Sequence, residues 1–404
     1  MKIEASLKEK LFTTDFLLVW VASFFAFTSF HLLLPILPLY VVRVGGTESQ
    51  VGLVLGILAV TSVSVRTWIG RESDRRGKKI ILVWGTLALV ISALSYTVAT
   101  TVILLVVLRL FHGVAWAATT TPSPALIADM APPRRRAEAM GWYGTGSSVA
   151  MAIAPLLAVF LNANYGFNLA FLAATAMAAI AMGTTLFVRE PRKPAAPEAQ
   201  ASPPVPAGGS LWQTVLYRPA LVPAVAALVV TLTYGSMLSF LPLLAYRHDV
   251  NPGVFFSVYA IFLIVSRPIG GKIADIAGRL AAVIPGTIAM AASLALLAFA
   301  TDLPLFLVSG ALYGIGFSFV HPALMAMITD RAAPEARGAA MGTFGAAFDL
   351  GIGLGAILLG LLLEKTNFQV LFLTCAAIAI GSMVVYLVEN RRMHRRRELP
   401  DQGG

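Results

Sequence analysis

The chain has 404 residues, 58% of them hydrophobic and only 12% charged, with a mean hydropathy of +0.80 and a net charge of +10. A soluble protein of this length needs roughly twice that share of charged residues to cover its surface, so composition excludes soluble, secreted-disulfide, disordered and fibrous classes. The single cysteine, Cys375, leaves no disulfide framework and no thiolate metal cluster.

Taken in chain order, twelve stretches are apolar and long enough to cross about 30 Å of hydrocarbon. They lie at 15–41, 49–70, 79–100, 102–129, 137–161 and 166–189, then at 217–246, 252–272, 280–301, 303–329, 336–363 and 367–390. All are expected to be helices, because a backbone in lipid must satisfy its own hydrogen bonds. The first stretch is too long for the core of a signal peptide and reads as a retained helix. Between spans six and seven, EPRKPAAPEAQASPPVPAGGS reads as a flexible linker. The expected organisation is therefore a first bundle over 1–189, a linker over 190–213, a second bundle over 214–390 and a basic tail over 391–404. LWQTVLYRP, just before span seven, reads either as an interfacial amphipathic segment or as an ordinary helix start.

Twenty-four of the thirty basic residues fall in loops on one side of these spans, together with both termini. Only Arg43, Arg247 and Lys365 fall on the other, and Arg66, Arg109 and Arg267 lie within spans. This asymmetry predicts cytoplasmic termini in a multi-pass protein of the plasma (inner) membrane, and it makes the positive charge an orientation signal rather than a nucleic-acid signal.

The two halves repeat at an offset of 201 residues. That offset pairs Gly70 with Gly271, Asp74 with Asp275, Gly77 with Gly278, Lys78 with Arg279, Arg66 with Arg267 and Asp129 with Asp330. Tandem six-helix repeats are the mark of transporters whose halves rock about a central site.

Gly70-x-x-x-Asp74-Arg75-x-Gly77-Lys78-Lys79, between spans two and three, resembles the signature of the major facilitator superfamily. The echo at Gly271, Asp275, Gly278 and Arg279 is weaker, with Ile276 opposite Arg75. The span-four run LRLFHGVAWAATTTPSPALIAD, with Arg109 and Gly113, also resembles the family's helix-4 signature, and the chain as a whole resembles its drug and metabolite antiporter branch. The glycine-rich fifth helix of those antiporters is matched only in part, by Gly146, Ala150, Ala154, Pro155 and Ala158. The resemblance implies an all-α membrane fold of twelve helices in two pseudo-symmetric six-helix bundles, and a monomer. It also implies a cytoplasmic latch that stabilises the outward-facing state. Its members would be Gly70, Asp74, Arg75, Arg76, Gly77, Lys78 and Asp129, mirrored by Asp275, Gly278, Arg279 and Asp330. Asp74 is expected at the start of helix 11, near Pro334–Gly338, and the basic loop residues are expected at Asp129. The other reading of these charges is loop anchoring alone.

No nucleotide-binding loop, zinc-ligand cluster or nucleophile–base pair occurs, so neither an ATP-driven pump nor an enzyme is expected, and no cofactor. The energy source is then an ion gradient, and protons need titratable groups inside the membrane. Asp349 is the only deeply placed carboxylate, and His31, His112 and His321 are the other candidates. Asp349, Arg109 and His112 are read as the proton-coupling network; the alternatives are structural pairing of Asp349 and an Arg109 bonded to backbone carbonyls, and for His31 and His321 hydrogen-bonded packing is the favoured reading. Arg66 and Arg267, one turn from the cytoplasmic face, are read as either gate residues or snorkelling cations.

The spans are poor in amides and rich in aromatic residues. Phe24, Phe30, His31, Trp116, Tyr143, Tyr234, Tyr313, Phe317, His321 and Phe344 are therefore the candidate cavity lining, suited to an amphiphilic organic molecule. Proton-coupled efflux is the leading expectation. Proton-coupled uptake of a small organic anion or metabolite is the alternative, and a receptor or scaffold without transport is the remote one.

Overall fold

A computed structural model of the chain describes residues 11–132, 135–191, 221–332 and 337–398. The segment LWQTVLYRP, nearly all of the linker and Pro334–Ala336 lie outside these residues. Among the described residues there are twelve long helices. The first six are α1 (Thr14–Arg43), α2 (Glu48–Arg76), α3 (Lys78–Ser95, ending in a 3₁₀ turn over Tyr96–Val98), α4 (Val102–Met130), α5 (Arg136–Tyr165) and α6 (Phe167–Phe187). The second six are α7 (Leu221–Arg247), α8 (Pro252–Ile276), α9 (Arg279–Leu297), α10 (Leu303–Arg331), α11 (Arg337–Lys365) and α12 (Phe368–Glu398). Eleven of them are long and apolar enough to cross a bilayer, and α12 adds the apolar stretch Phe368–Val384. Among the described residues there is no strand. The all-α, two-bundle architecture is the one the sequence implies.

Helix ends follow from local chemistry. Thr13 Oγ1 accepts from Phe16 N at 3.2 Å, Thr101 Oγ1 from Leu104 N at 3.3 Å and Asn251 Oδ1 from Gly253 N at 2.9 Å, each capping orphan donors. The α2–α3 and α8–α9 junctions each turn on a single glycine, Gly77 at φ 101° and Gly278 at φ 91°. A side chain at either would strain the turn. Within the helices, serine and threonine hydroxyls mostly return to the carbonyl three or four residues back, as at Thr28, Thr86, Thr185 and Ser239. Exposed residues such as Trp84, Ile103, Phe187 and Ile264 are apolar, as lipid-facing positions require. Helix α4 runs on through Thr121, whose backbone stays α-helical at φ −79° and ψ −50°, although Pro122 removes one hydrogen bond from the ladder.

The chain divides into two compact units, Met1–Leu211 and Trp212–Gly404. In the first, α1 packs on α5 and α6, α2 on α4, and α3 on α4 and α6. In the second, α7 packs on α11 and α12, α8 on α10, and α9 on α10 and α12. Each pairing in one unit has its counterpart six helices later in the other. Close approach is bought with small residues. A Cβ added to Gly113 would meet Leu58 O, Thr61 Cβ and Ser62 N, while one on Gly314 would meet Tyr259 O, Phe262 Cβ and Leu263 N. All four of these pairs of positions are 201 residues apart, so the sequence repeat is also a repeat of packing.

Candidate functional site

The most unusual group in the first unit is Arg109, a cation with 0% exposure in the interior of an apolar bundle. Its Nε donates to Val54 O on α2 at 3.1 Å, but Nη1 and Nη2 have no hydrogen-bond partner. Among the described residues no carboxylate pairs with it. An isolated buried charge is costly, and such groups persist in membrane proteins mainly where function requires them. One turn along α4, His112 is 1% exposed; its Nδ1 bonds the Tyr96 hydroxyl at 3.0 Å and its Nε2 is unpartnered. The Tyr96 hydroxyl also faces the Arg109 guanidinium. The structure thus brings the predicted Arg109 and His112 together and adds Tyr96, which sequence reading missed because it sits in the 3₁₀ turn after α3.

Next to this cluster lies an aromatic surface. Phe30 stacks on Trp116 at 4.1 Å and meets the His112 ring edge-on at 6.1 Å. Phe27, not foreseen, joins Trp116 at 5.1 Å and Tyr143 at 6.2 Å. His31 is buried, with Nδ1 2.9 Å from its own helix carbonyl at Phe27, which is local packing. Phe24 stacks instead on Trp20, at 6.0 Å, one turn nearer the basic end.

The second unit carries a run of rings, and its Arg267 and His321 are only partly buried. Tyr234 stacks on Phe317 at 4.6 Å, Phe317 on His321 at 5.4 Å, and His321 meets Phe344 at 5.6 Å and Phe348 at 5.1 Å. Tyr313 lies 6.3 Å from Phe317 and 6.1 Å from Tyr259. The Tyr234 and Tyr259 hydroxyls approach each other without a bond of good geometry. Four predicted residues, Tyr234, Tyr313, Phe317 and Phe344, are therefore buried neighbours, with His321 partly buried among them. Phe348 and Tyr259 are the ones missed. Asp349 follows Phe348 on α11 and is partly buried. It belongs to the second unit, Arg109 and His112 to the first.

At the basic end of the first unit, one of the ion pairs expected among the latch residues is present. Lys78, 8% exposed, pairs through Nζ with Asp129 Oδ2, joining the start of α3 to the end of α4. Arg75 and Arg76 do not reach Asp129. They pair with Glu72 on their own helix, at 3.6 and 2.5 Å, because i,i+3 and i,i+4 neighbours are nearer than any carboxylate across the loop. Asp74 is exposed and lines, with Ser73, Lys78, Asp129, Glu190 and Pro191, a cleft of about 170 Å³. Its expected partner at Pro334–Ala336 lies outside the described residues. Gly70 is ordinary helix with room beside it, and Gly77 makes the turn.

Sequence reading missed Glu190. Its Oε1 accepts from Lys78 N at 2.9 Å and its Oε2 from Lys79 N at 3.1 Å, so it caps α3 from the far end of the bundle sequence. In the second unit Arg279 forks between Asp275, 2.6 Å from Nη1, and Asp330, 3.1 Å from Nε. Gly278 makes the mirrored turn. Arg66 and Arg267 are both partly buried; Arg66 Nη2 lies 3.5 Å from Ser62 Oγ, and Arg267 lies within electrostatic reach of Tyr259 and His321.

The profile of the Major Facilitator Superfamily matches residues 19–279 and 252–403. The staphylopine export protein of Staphylococcus aureus is 25% identical over 388 residues, 92% of this chain and 94% of that one. Multidrug resistance protein MdtG of Yersinia enterocolitica is 27% identical over 283 residues, 66% of each chain. Several other relatives are matched over only 40% to 44% of their own length. Among solved structures, the nucleoside transporter NupG superposes with a TM-score of 0.72 at 17% identity, covering 93% of this chain and 99% of that one; this likeness is one of fold.

Proposed function

Since the chain belongs to the major facilitator superfamily of membrane transporters, we propose that it exports an amphiphilic organic compound in exchange for protons, by alternating access in the plasma membrane with both termini cytoplasmic. The observation that carries this reading is the Arg109–His112–Tyr96 cluster, a charged and titratable group buried in an apolar bundle beside the Phe30–Trp116 stack. A cluster so costly to bury fits a group that exchanges protons or counter-charges during a cycle. The aromatic surfaces of both units, poor in amides, suit a cargo with a large apolar body. The names of the export and multidrug resistance relatives support the outward direction.

In this reading Asp349 accepts and releases the proton, while Arg109 and His112 set when it does so. The Lys78–Asp129 pair and its Arg279 counterpart fasten and release the basic ends of the two units, and Arg66 and Arg267 gate the path between membrane and loop. The cycle is a population shift between two states, biased by protons and cargo through their different affinities for each.

The alternative, proton-coupled uptake, is favoured by one observation. Ala150 and Ala154 are packed at 1% and 0% exposure where the antiporter pattern has glycine. Everted membrane vesicles carrying a pH gradient decide between the two. With antiport, adding a transported dye or drug collapses the gradient, and Asp349→Asn abolishes the collapse while leaving dye binding in place. Dye accumulation in whole cells that rises with the imposed gradient would reverse the direction. Proton movement unchanged in Asp349→Asn would remove that residue from the mechanism.

A further inference from the structure

A second cleft lies at the end of the first unit opposite the basic loops, and nothing in the transport reading uses it. It encloses about 600 Å³ between the end of α1, the turn after α3 and the α5–α6 turn. Its floor is rigid: Tyr40 donates from its hydroxyl to Ala99 O at 2.7 Å and packs against Phe167 at 5.1 Å. Among the described lining residues Arg43 is the single charged group, and no acid faces it. The remaining polar groups are the side chains of Thr97, Thr100, Tyr165 and Asn168.

The Arg43 guanidinium carbon stands 5.2 Å over the Phe167 ring. A guanidinium laid on an aromatic face keeps its in-plane N–H donors pointing away from the ring, free to grip a planar or tetrahedral oxyanion. The second unit repeats the device: Arg247, like Arg43 the last residue of the first helix of its unit, lies 6.0 Å from the ring of Phe368, the counterpart of Phe167. On this side of the molecule basic residues are otherwise nearly absent.

We propose that the Arg43 cleft binds a phosphate-type oxyanion, the headgroup of an anionic lipid in the adjoining leaflet. The location supports a lipid source: exposed apolar residues Val98 and Ile103 flank the turn that forms one wall, where a headgroup sits at the boundary of the hydrocarbon. A soluble phosphate ester presents the same chemistry and is the second source to be distinguished.

Amide hydrogen exchange of residues 165–170, read by mass spectrometry on the full chain in nanodiscs, tests this at the site. Phosphatidylglycerol discs should slow exchange of this segment roughly tenfold relative to phosphatidylcholine discs, the scale expected of a charge-assisted contact. Arg43→Gln should remove the difference, and Arg43→Lys, which keeps the charge without the fork, should retain part of it. If inorganic phosphate added to phosphatidylcholine discs protects the segment equally, the site stands and its occupant is a soluble oxyanion. No protection by either, or protection undiminished in Arg43→Gln, overturns the proposal. A silent result in the vesicle flux assay leaves this test untouched, since it reads binding and not transport.

Discussion

The two units share a packing plan but carry different chemistry at equivalent places. In the α2–α4 contact of the first unit and the α8–α10 contact of the second, equivalent groups close on Gly113 and Gly314. One turn earlier the equivalence breaks. Arg109 donates to the carbonyl of Val54, whereas its counterpart Gly310 merely abuts the carbonyl of Phe255. His112 has Tyr313 as its counterpart, Trp116 has Phe317, and Thr120 has His321. One half has kept a buried cation and the other has filled the same space with rings. Duplication supplies a frame that folds twice, and a fully buried cation can then be placed at this position in one copy alone.

The sharpest way to break this comparison is to remove the cation. On the proposed mechanism Arg109→Leu should reduce coupled transport roughly 100-fold or more, since it deletes the buried charge that the proposal makes part of the coupling. The chain should remain folded, because the substitution also relieves the cost of burying an unpaired guanidinium. Vesicle flux together with thermal stability of the purified protein checks both halves of that statement. Unaltered flux with raised stability would mean the arginine is a structural accident.

A smaller effect sharpens the comparison at the basic ends. Lys78–Asp129 and Arg279–Asp330 are equivalent pairs, but the Lys78 side chain is 10% exposed and that of Arg279 is 31%. The cation of the first pair is the more buried, while the carboxylate it would leave behind, Asp129, is exposed and can rehydrate. Lys78→Met should therefore cost about 1 kcal/mol, and Arg279→Met a few tenths of that after solvent screening. Equal losses in thermal unfolding would show that exposure does not separate the two loops.

Much of this was legible before any coordinates. Twelve spans, the 201-residue repeat and the glycine turns follow from apolar run length and residue type, and those properties are local. Arg109 with His112 was legible too, because i,i+3 spacing on one helix fixes proximity. Asp129 with Lys78 came through the family resemblance, not through spacing. What stayed hidden lies on other elements: Tyr96 reaches His112 from a 3₁₀ turn sixteen residues away, and Phe348 reaches His321 from α11. The assignment of Arg75 and Arg76 to Asp129 failed for a related reason. A resemblance names the charges in a loop, but which carboxylate they meet depends on rotamers, and Glu72 on the same helix was closer.

The finest difference between the units concerns how the turn before the third helix of each is held. In the first, Glu190 places one carboxylate oxygen on each of the first two amides of α3, and a Cβ on Gly77 would come within 3.0 Å of it. In the second, nothing stands within 4 Å of a Cβ on Gly278, and the residue equivalent to Glu190 is Arg391. A carboxylate at a helix N-terminus satisfies orphan donors and faces the positive end of the dipole, which together contribute about 0.5–2 kcal/mol. Glu190→Gln keeps one acceptor and turns an amide NH₂ toward a backbone donor, so roughly half of that should be lost. The change should appear as faster hydrogen exchange at Lys78 and Lys79, with residues 279–282 unaffected. Because Glu190 opens the linker region and Lys78 also holds Asp129, the same variant should loosen the salt bridge only in the first unit. If exchange instead quickens in both loops, the capping carboxylate acts through the linker on the whole chain, and the asymmetry between the halves does not begin at this turn.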